Sequence, residues 1–282
     1  ANQSCALLGA IFSSTEILLS PPLPSSHLQS VQVMGPVNDE QHEYMNKRSY
    51  SGILGSLQYA RHTRPDILQA VSECAKYQTN PGPLHYQAAV RILFYLYHTR
   101  EHRITWRSSG KAPGQPWDLQ VHVDADWAND PDNRRSRSGY VIKANNNILA
   151  YNTGLQPKCA SSTPVSEYVA LAAAVKEVIY VKQLLAELSI SVATPIQIWE
   201  DNKTAIHIAN NPAAPRKTRH IEIRYHFIRD YKIAGTIRID YCKSRDMIAD
   251  LFTKSLPRPA FRRLRAELIS DELLPPDTLQ PD

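Results

Sequence analysis

Four acidic residues sit where a carboxylate needs a physical reason. Asp124 lies within Leu119-Gln-Val-His-Val-Asp-Ala-Asp-Trp-Ala128. That stretch alternates as a β-strand, with Val121, Val123 and Ala125 on one face and His122, Asp124 and Asp126 on the other. An acid on a covered face must be solvated, paired or bound to a cation, because burying it alone is costly. Glu167 falls in the first turn of a long helical pattern, one residue before the core position Tyr168. Asp201 ends a strand pattern, where ligand sites of open α/β sheets gather, and Asp250 is flanked by Ala249 and Leu251. Four converging carboxylates repel unless cations neutralise them, and hard oxygen ligands favour Mg²⁺ or Mn²⁺. Two such ions about 4 Å apart activate a water and stabilise the leaving oxygen of a phosphodiester attack. The plainer reading leaves Asp124 and Asp201 as solvated strand-end acids and Glu167 as a complement to a helix N-terminus. Asp126 shares a face with Asp124 and is its rival; the more central place in the strand favours Asp124.

The acids can meet only if distant elements bring them together. Residues 1–45 are rich in Ser, Pro and Gln and read as an irregular N-terminal segment. Residues 46–116 read as a small helical module. Its helices run through Tyr50–Ala60, from Pro65, and through Leu84–His98, with a short strand at Arg103-Ile-Thr-Trp106 and a Gly/Pro-rich linker at the end. Within 117–256, Ser138–Lys143 and Ile148–Tyr151 form a hairpin with Asn145-Asn-Asn147 as its turn. A long helix opens at Thr163-Pro164, and Pro195–Asp201 is a fourth strand. Asn202 caps a short helix, a further helix passes Phe227, and Thr236–Tyr241 and Asp246–Lys254 supply the last strand and a closing helix. Residues 257–282 read as a basic amphipathic tail. The order predicts an α/β fold, one mixed five-stranded sheet with helices on both faces.

The net charge of +5 favours an anionic partner weakly. Cys5, Cys74, Cys159 and Cys242 have no metal-ligand spacing and read as reduced thiols of an intracellular protein. No apolar run is long enough to cross a bilayer, so no membrane partner is expected. The chain starts with Ala, which points to a piece of something longer.

The motifs resemble a known family. His122-Val-Asp-Ala-Asp-Trp-Ala-Asn-Asp130, followed by Arg134-Arg-Ser-Arg-Ser-Gly-Tyr-Val141, is similar to the start of the ribonuclease H domain of copia-type LTR retrotransposon Pol polyproteins. Ser161–Leu171, Asp201-Asn-Lys-Thr-Ala-Ile206, Thr218–Arg229 and Ile248-Ala-Asp-Leu-Phe-Thr-Lys254 resemble its later motifs. Tyr50–Ala60, Thr63-Arg-Pro-Asp66 and Ala88–Leu96 resemble the segment joining the reverse transcriptase to that domain. The resemblance covers about residues 46–268. It implies a ribonuclease H-like fold and a Mg²⁺- or Mn²⁺-dependent cut, with two ions, in the RNA strand of RNA–DNA hybrids. Asp124, Glu167, Asp201 and Asp250 are then the catalytic metal ligands. It further implies the polymerase part of the same polyprotein as a partner, and a cytoplasmic, virus-like-particle setting with a possible nuclear phase. The paired aspartates of a polymerase signature are absent, so the chain is not expected to synthesise DNA. Val165 stands where the family has an acid, and Glu200 precedes Asp201 where a Cys is usual. Alternation points Glu200 away from Asp201, which makes it structural.

Candidate phosphate contacts are Arg134, Arg135 and Arg137 in the first turn, and Arg216, Lys217 and Arg219 in a later loop. Asn202 reaches a minor-groove hydroxyl or caps its helix, the cap being the simpler role. Trp127 reads as core. The alternative to an enzyme is an inactive retrotransposon remnant that binds nucleic acid or a partner protein without cutting.

Overall fold

The computed structural model describes residues 35–211 and 222–270, with the backbone alone at 222–225. The chain divides into two units: one takes residues up to 104 together with those from 255, and the other runs from Thr105 to Lys254.

In the first unit, α1 (Asp39–Asn46) starts at Asn38, whose side chain accepts from Gln41 N. This helix replaces the end of the irregular segment expected over 1–45; residues 1–34 lie outside the described part. Then follow α2 (Tyr50–Ala60), a 3₁₀ turn at Pro65–Ile67 leading into α3 (Leu68–Ala75), and α4 (Pro83–His98). Leu54, Leu57, Ile67, Val71, Tyr77, Ile92 and Tyr95 are fully or almost fully buried. Among them lies a polar cluster. Arg64 pairs with Asp66 at 2.7 Å, and Asp66 also accepts from Tyr95 Oη at 2.6 Å. Arg64 Nη2 donates to Thr99 Oγ1 at 2.7 Å, so neither charge is left unpaired. The strand expected at Arg103–Trp106 is absent; Arg103 makes a single antiparallel bridge to Ser270. Residues 258–266, read from the sequence as tail, form α9 (Arg258–Ala266), with Phe261 and Leu264 buried. Phe261 meets Tyr95 edge-on at 6.1 Å, and Arg265 Nη1 donates to Tyr95 Oη at 3.2 Å.

The second unit is built on β1 (Leu119–Asp126), β2 (Arg137–Ala144), β3 (Asn147–Leu155), β4 (Ile196–Glu200) and β5 (Ile237–Tyr241), in the order β3-β2-β1-β4-β5. Antiparallel ladders join β1 to β2 and β2 to β3; β1–β4 and β4–β5 are parallel. Two consecutive residues at positive φ, Asn145 and Asn146, make the hairpin turn, a backbone shape that asparagine tolerates. The parallel crossovers carry α5 (Thr163–Glu187), α6 (Lys203–Asn210) and α7 (Glu222–Ile233). Val121, Val123 and Ala125 pack with Leu171, Val175 and Val178 of α5 and with Ile196, Ile198, Ile237 and Ile239. The short α8 (Asp250–Thr253) meets β1, β2 and β3. This is the mixed five-stranded sheet that the order of elements predicts.

Candidate active site

Three elements deliver the acids. Asp124 is near the carboxyl end of β1 and fully buried. Asp201 follows the last residue of β4. Glu167 lies near the start of α5, whose first turn carries Pro164 and whose Tyr168 and Leu171 anchor it in the core. One carboxylate oxygen from each of Asp124, Glu167 and Asp201 falls within 4.8 Å of the other two. Burial, reinforced by the charges of Asp124, Glu200 and Asp201, pushes the Glu167 carboxyl up to about 11. Its Oε2 is buried and finds no hydrogen-bond partner among the described residues. An all-carboxylate donor set with a buried orphan oxygen and like charges that repel one another fits a hard divalent cation.

Asp250 joins through a basic side chain instead of entering that group of three. Lys254 Nζ lies 2.8 Å from Asp250 Oδ1 and 3.0 Å from Asp124 Oδ1. Burial works against the Lys254 ammonium, but the two carboxylates outweigh it and hold its pKa above the ordinary lysine value. Asp250 itself is pushed up to about 7, by burial first and then by the charge of Asp124. The other Asp124 oxygen accepts a short hydrogen bond from Thr253 Oγ1. Lys254 and Thr253 belong to the Ile248–Lys254 motif, but Lys254 lies 130 residues from Asp124 and Thr253 129, so no local signal shows that they meet.

Gly139 makes this docking possible. It lies opposite Asp124 in the β1–β2 ladder, and a Cβ there would come within 2.8 Å of both Phe252 Cβ and Thr253 Cγ2.

Glu200, expected to be structural, is a fourth acid beside the group. It shares its strand face with Ile196 and Ile198, the face that packs against α5, and it is fully buried. Burial drives its carboxyl well above the ordinary range, against a hydrogen bond from Asn202 N, while Asp201 and Asp124 add to the rise. Oε1 accepts from Asn202 N at 3.0 Å, whereas Oε2 has no partner among the described residues. Alternation predicts that it points away from Asp201, yet the charges of Asp201 and Asp124 both act on it. Asp126 stands outside the three-acid group, with a short hydrogen bond from Asn129; burial lifts it to about 6.

The basic candidates separate. Arg134 is exposed at positive φ, and Arg135 donates to the backbone oxygen of Gln156. Arg137, expected as a phosphate contact, is 3% exposed and donates to Thr153 Oγ1, so it braces β2 against β3. Asn202 caps α6 by accepting from Thr204 N and Ala205 N. Arg216, Lys217 and Arg219 lie outside the described residues. Trp127 is not core: it is 43% exposed and donates to Ala160 O. No helix among the described residues is long and apolar enough to cross a membrane.

No family model matches the chain. It is 35% identical over 219 residues to the retrovirus-related Pol polyprotein from transposon RE1 of Arabidopsis thaliana, covering 78% of this chain and 15% of that protein. It is 33% identical over 244 residues to the corresponding polyprotein from transposon TNT 1-94 of Nicotiana tabacum, covering 86% of this chain and 18% of that protein. The chain therefore spans under a fifth of the length of these relatives. Among solved structures, LC11-RNase H1 in complex with an RNA/DNA hybrid aligns with 13% identity and a TM-score of 0.38, over 51% of this chain and 99% of that one.

Proposed function

Since the chain belongs with the Pol polyproteins of copia-type transposons, as the counterpart of one segment of them, we propose that it is a ribonuclease H that cuts the RNA strand of RNA–DNA hybrids during reverse transcription. The observation that carries this reading is the convergence of Asp124, Glu167 and Asp201 at the carboxyl ends of β1 and β4. These three acids would hold one Mg²⁺ or Mn²⁺, and Asp124 with Asp250 a second. Bound divalent cations supply the positive charge that makes a water nucleophilic at neutral pH and stabilises the leaving oxygen of the cut strand.

The chain's own residues do the positioning. Thr253 donates to one oxygen of Asp124 and Lys254 to the other, which together fix the orientation of its carboxylate. Glu200 accepts from Asn202 N, and Asn202 caps α6, so the turn that presents Asp201 is held from both sides. Arg134, exposed beside this end of the sheet's first turn, is a phosphate contact; Arg216, Lys217 and Arg219 are proposed for the same role. The 2′-hydroxyls of one strand distinguish the hybrid from duplex DNA. The polymerase part of the same polyprotein is the proposed partner, in the particles where reverse transcription takes place.

The test is incubation with labelled RNA–DNA hybrid, duplex DNA and single-stranded RNA, with Mg²⁺ or with chelator. Selective, metal-dependent loss of the hybrid's RNA is the expected result. Binding without cutting would replace the enzyme by the inactive-remnant reading.

A further inference from the structure

The helix α9, Arg258-Pro-Ala-Phe-Arg-Arg-Leu-Arg-Ala266, carries four arginines in nine residues and no acid. Its apolar side is occupied: Phe261 and Leu264 are buried, and Phe261 meets Tyr95. Arg258, Arg262 and Arg265 follow one another at steps of four and three residues, so they share a second stripe beside the apolar one. Arg265 donates from Nη1 to Tyr95 Oη at 3.2 Å, which anchors one end of that stripe to the core. The guanidinium groups of Arg258 and Arg262 make no hydrogen bond or ion pair among the described residues, and Arg258 Nε is buried without a partner. Arg258 also stands at the first position of the helix, where the macrodipole disfavours a cation, and it repels Arg262 one turn on. Neither cost is offset by an acid of α9, and a bound anion would relieve both.

We propose that this stripe of α9 is a nucleic-acid-binding surface that takes phosphates along one strand of a duplex without reading its bases. This rests on reading the chain as a protein of RNA–DNA hybrids. Four residues of helix advance about 6 Å. A nucleic-acid strand offers a charge about every 3.4 Å of its axis, so a single strand reaches Arg258 and Arg262 together. Guanidinium groups form paired hydrogen bonds to phosphate, and such contacts fix register while carrying no sequence information. The stripe belongs to the helical unit, so nucleic acid is held by that unit as well as by the one that contains the acidic site.

The experiment measures binding of the full chain to a fluorescently labelled RNA–DNA hybrid by anisotropy, in chelator, between about 50 and about 200 mM salt. It compares wild type with two double variants, Arg258→Gln with Arg262→Gln and Arg258→Lys with Arg262→Lys. Arg100→Gln serves as control, because Arg100 already pairs with Glu101. Circular dichroism confirms that each is folded. The expected result is a slope of log affinity against log salt that is shallower by about 2 in the glutamine variant, and unchanged in the lysine variant and the control. The loss should be the same for hybrids of unrelated sequence. An unchanged slope in the glutamine variant overturns the proposal and means that these arginines are neutralised within the chain. Binding to anionic phospholipid vesicles that this variant loses, while its hybrid binding stays at the wild-type level, overturns it in favour of a membrane surface. If wild type cuts hybrid in Mg²⁺ and the slope does not move, the enzyme reading survives and the role of α9 falls. If wild type binds no hybrid, both fall together.

Discussion

Gly139 faces Asp124 across the β1–β2 ladder, and a single methyl group added to it would collide with the helix that carries Asp250. The missing side chain on β2 is what lets α8 lie against the sheet, with Thr253 and Lys254 brought onto Asp124. Substituting Gly139→Ala should displace α8. A loss of about 1–3 kcal/mol of stability is expected in chemical denaturation, with a drop in hybrid cleavage larger than the stability loss alone explains. Wild-type stability and activity together would show that α8 is not held by this contact.

Asp124 and Asp126 share a strand face, yet only Asp124 belongs to the three-acid group. Asp124→Asn should reduce metal-dependent cleavage of a labelled hybrid by at least about a hundredfold, and Asp126→Asn by no more than about tenfold. Full activity in Asp124→Asn would remove the first ligand from the proposed site.

Stability without metal should rise as pH falls. Asp250 and Asp126 are pushed up to about 7 and about 6 from an ordinary 3.8, so the folded chain binds protons that the unfolded chain releases. Their contribution is full below 3.8 and is lost as pH climbs through 6 and 7. Thermal unfolding in chelator should therefore move to higher temperature between pH 8 and about 5, and added Mg²⁺, which needs ionised carboxylates, should flatten that trend. A melting temperature that falls over the same interval in chelator would contradict the assignment.

Glu200 should be worth more to cation binding than to the fold. Burial and the charges of Asp201 and Asp124 favour the protonated form of its carboxyl in the metal-free site, and a cation favours the ionised one. Glu200→Gln keeps the volume and has no proton that the unfolded chain would release, so the metal-free variant should melt above wild type. The same variant should bind Mn²⁺ more weakly, and calorimetry compares the two. A variant less stable than wild type with unchanged Mn²⁺ affinity would make Glu200 purely structural.

In the helical unit, Asp66→Ala would strand the buried Arg64 guanidinium and free Tyr95 Oη. A loss of about 3–5 kcal/mol is expected in denaturant unfolding. A loss below about 1 kcal/mol would mean that water replaces the carboxylate.

The elements that local chemistry governs were legible from the residues. Alternation located β1, Thr163-Pro164 located the start of α5, Asn145 and Asn146 marked the hairpin turn, and Asn202 marked the cap of α6. The convergence of Asp124, Glu167 and Asp201 followed from strand ends and a helix start on one sheet. What escaped notice depended on distant partners. Arg137 looked like one of three equivalent surface arginines, and only the pairing of β2 with β3 buries it against Thr153. Glu200 was read as structural from alternation alone, which carries no signal of the charges of Asp201 and Asp124 that act on it. Lys254 closed a motif, and its link to Asp124 spans 130 residues, beyond any periodicity. Trp127 failed in the opposite direction: a large apolar residue beside a strand is usually buried, and this one spends its indole N–H on a surface carbonyl.

The return of α9 to the helical unit has a consequence for synthesis. That unit's two parts, up to residue 104 and from residue 255, are separated by the whole five-stranded unit. A ribosome finishes every residue of the sheet before it makes Phe261 and Leu264, which complete the core around Tyr95. The piece begun first is therefore completed last. The contact of Phe261 with Tyr95 can form only after the second unit has been synthesised.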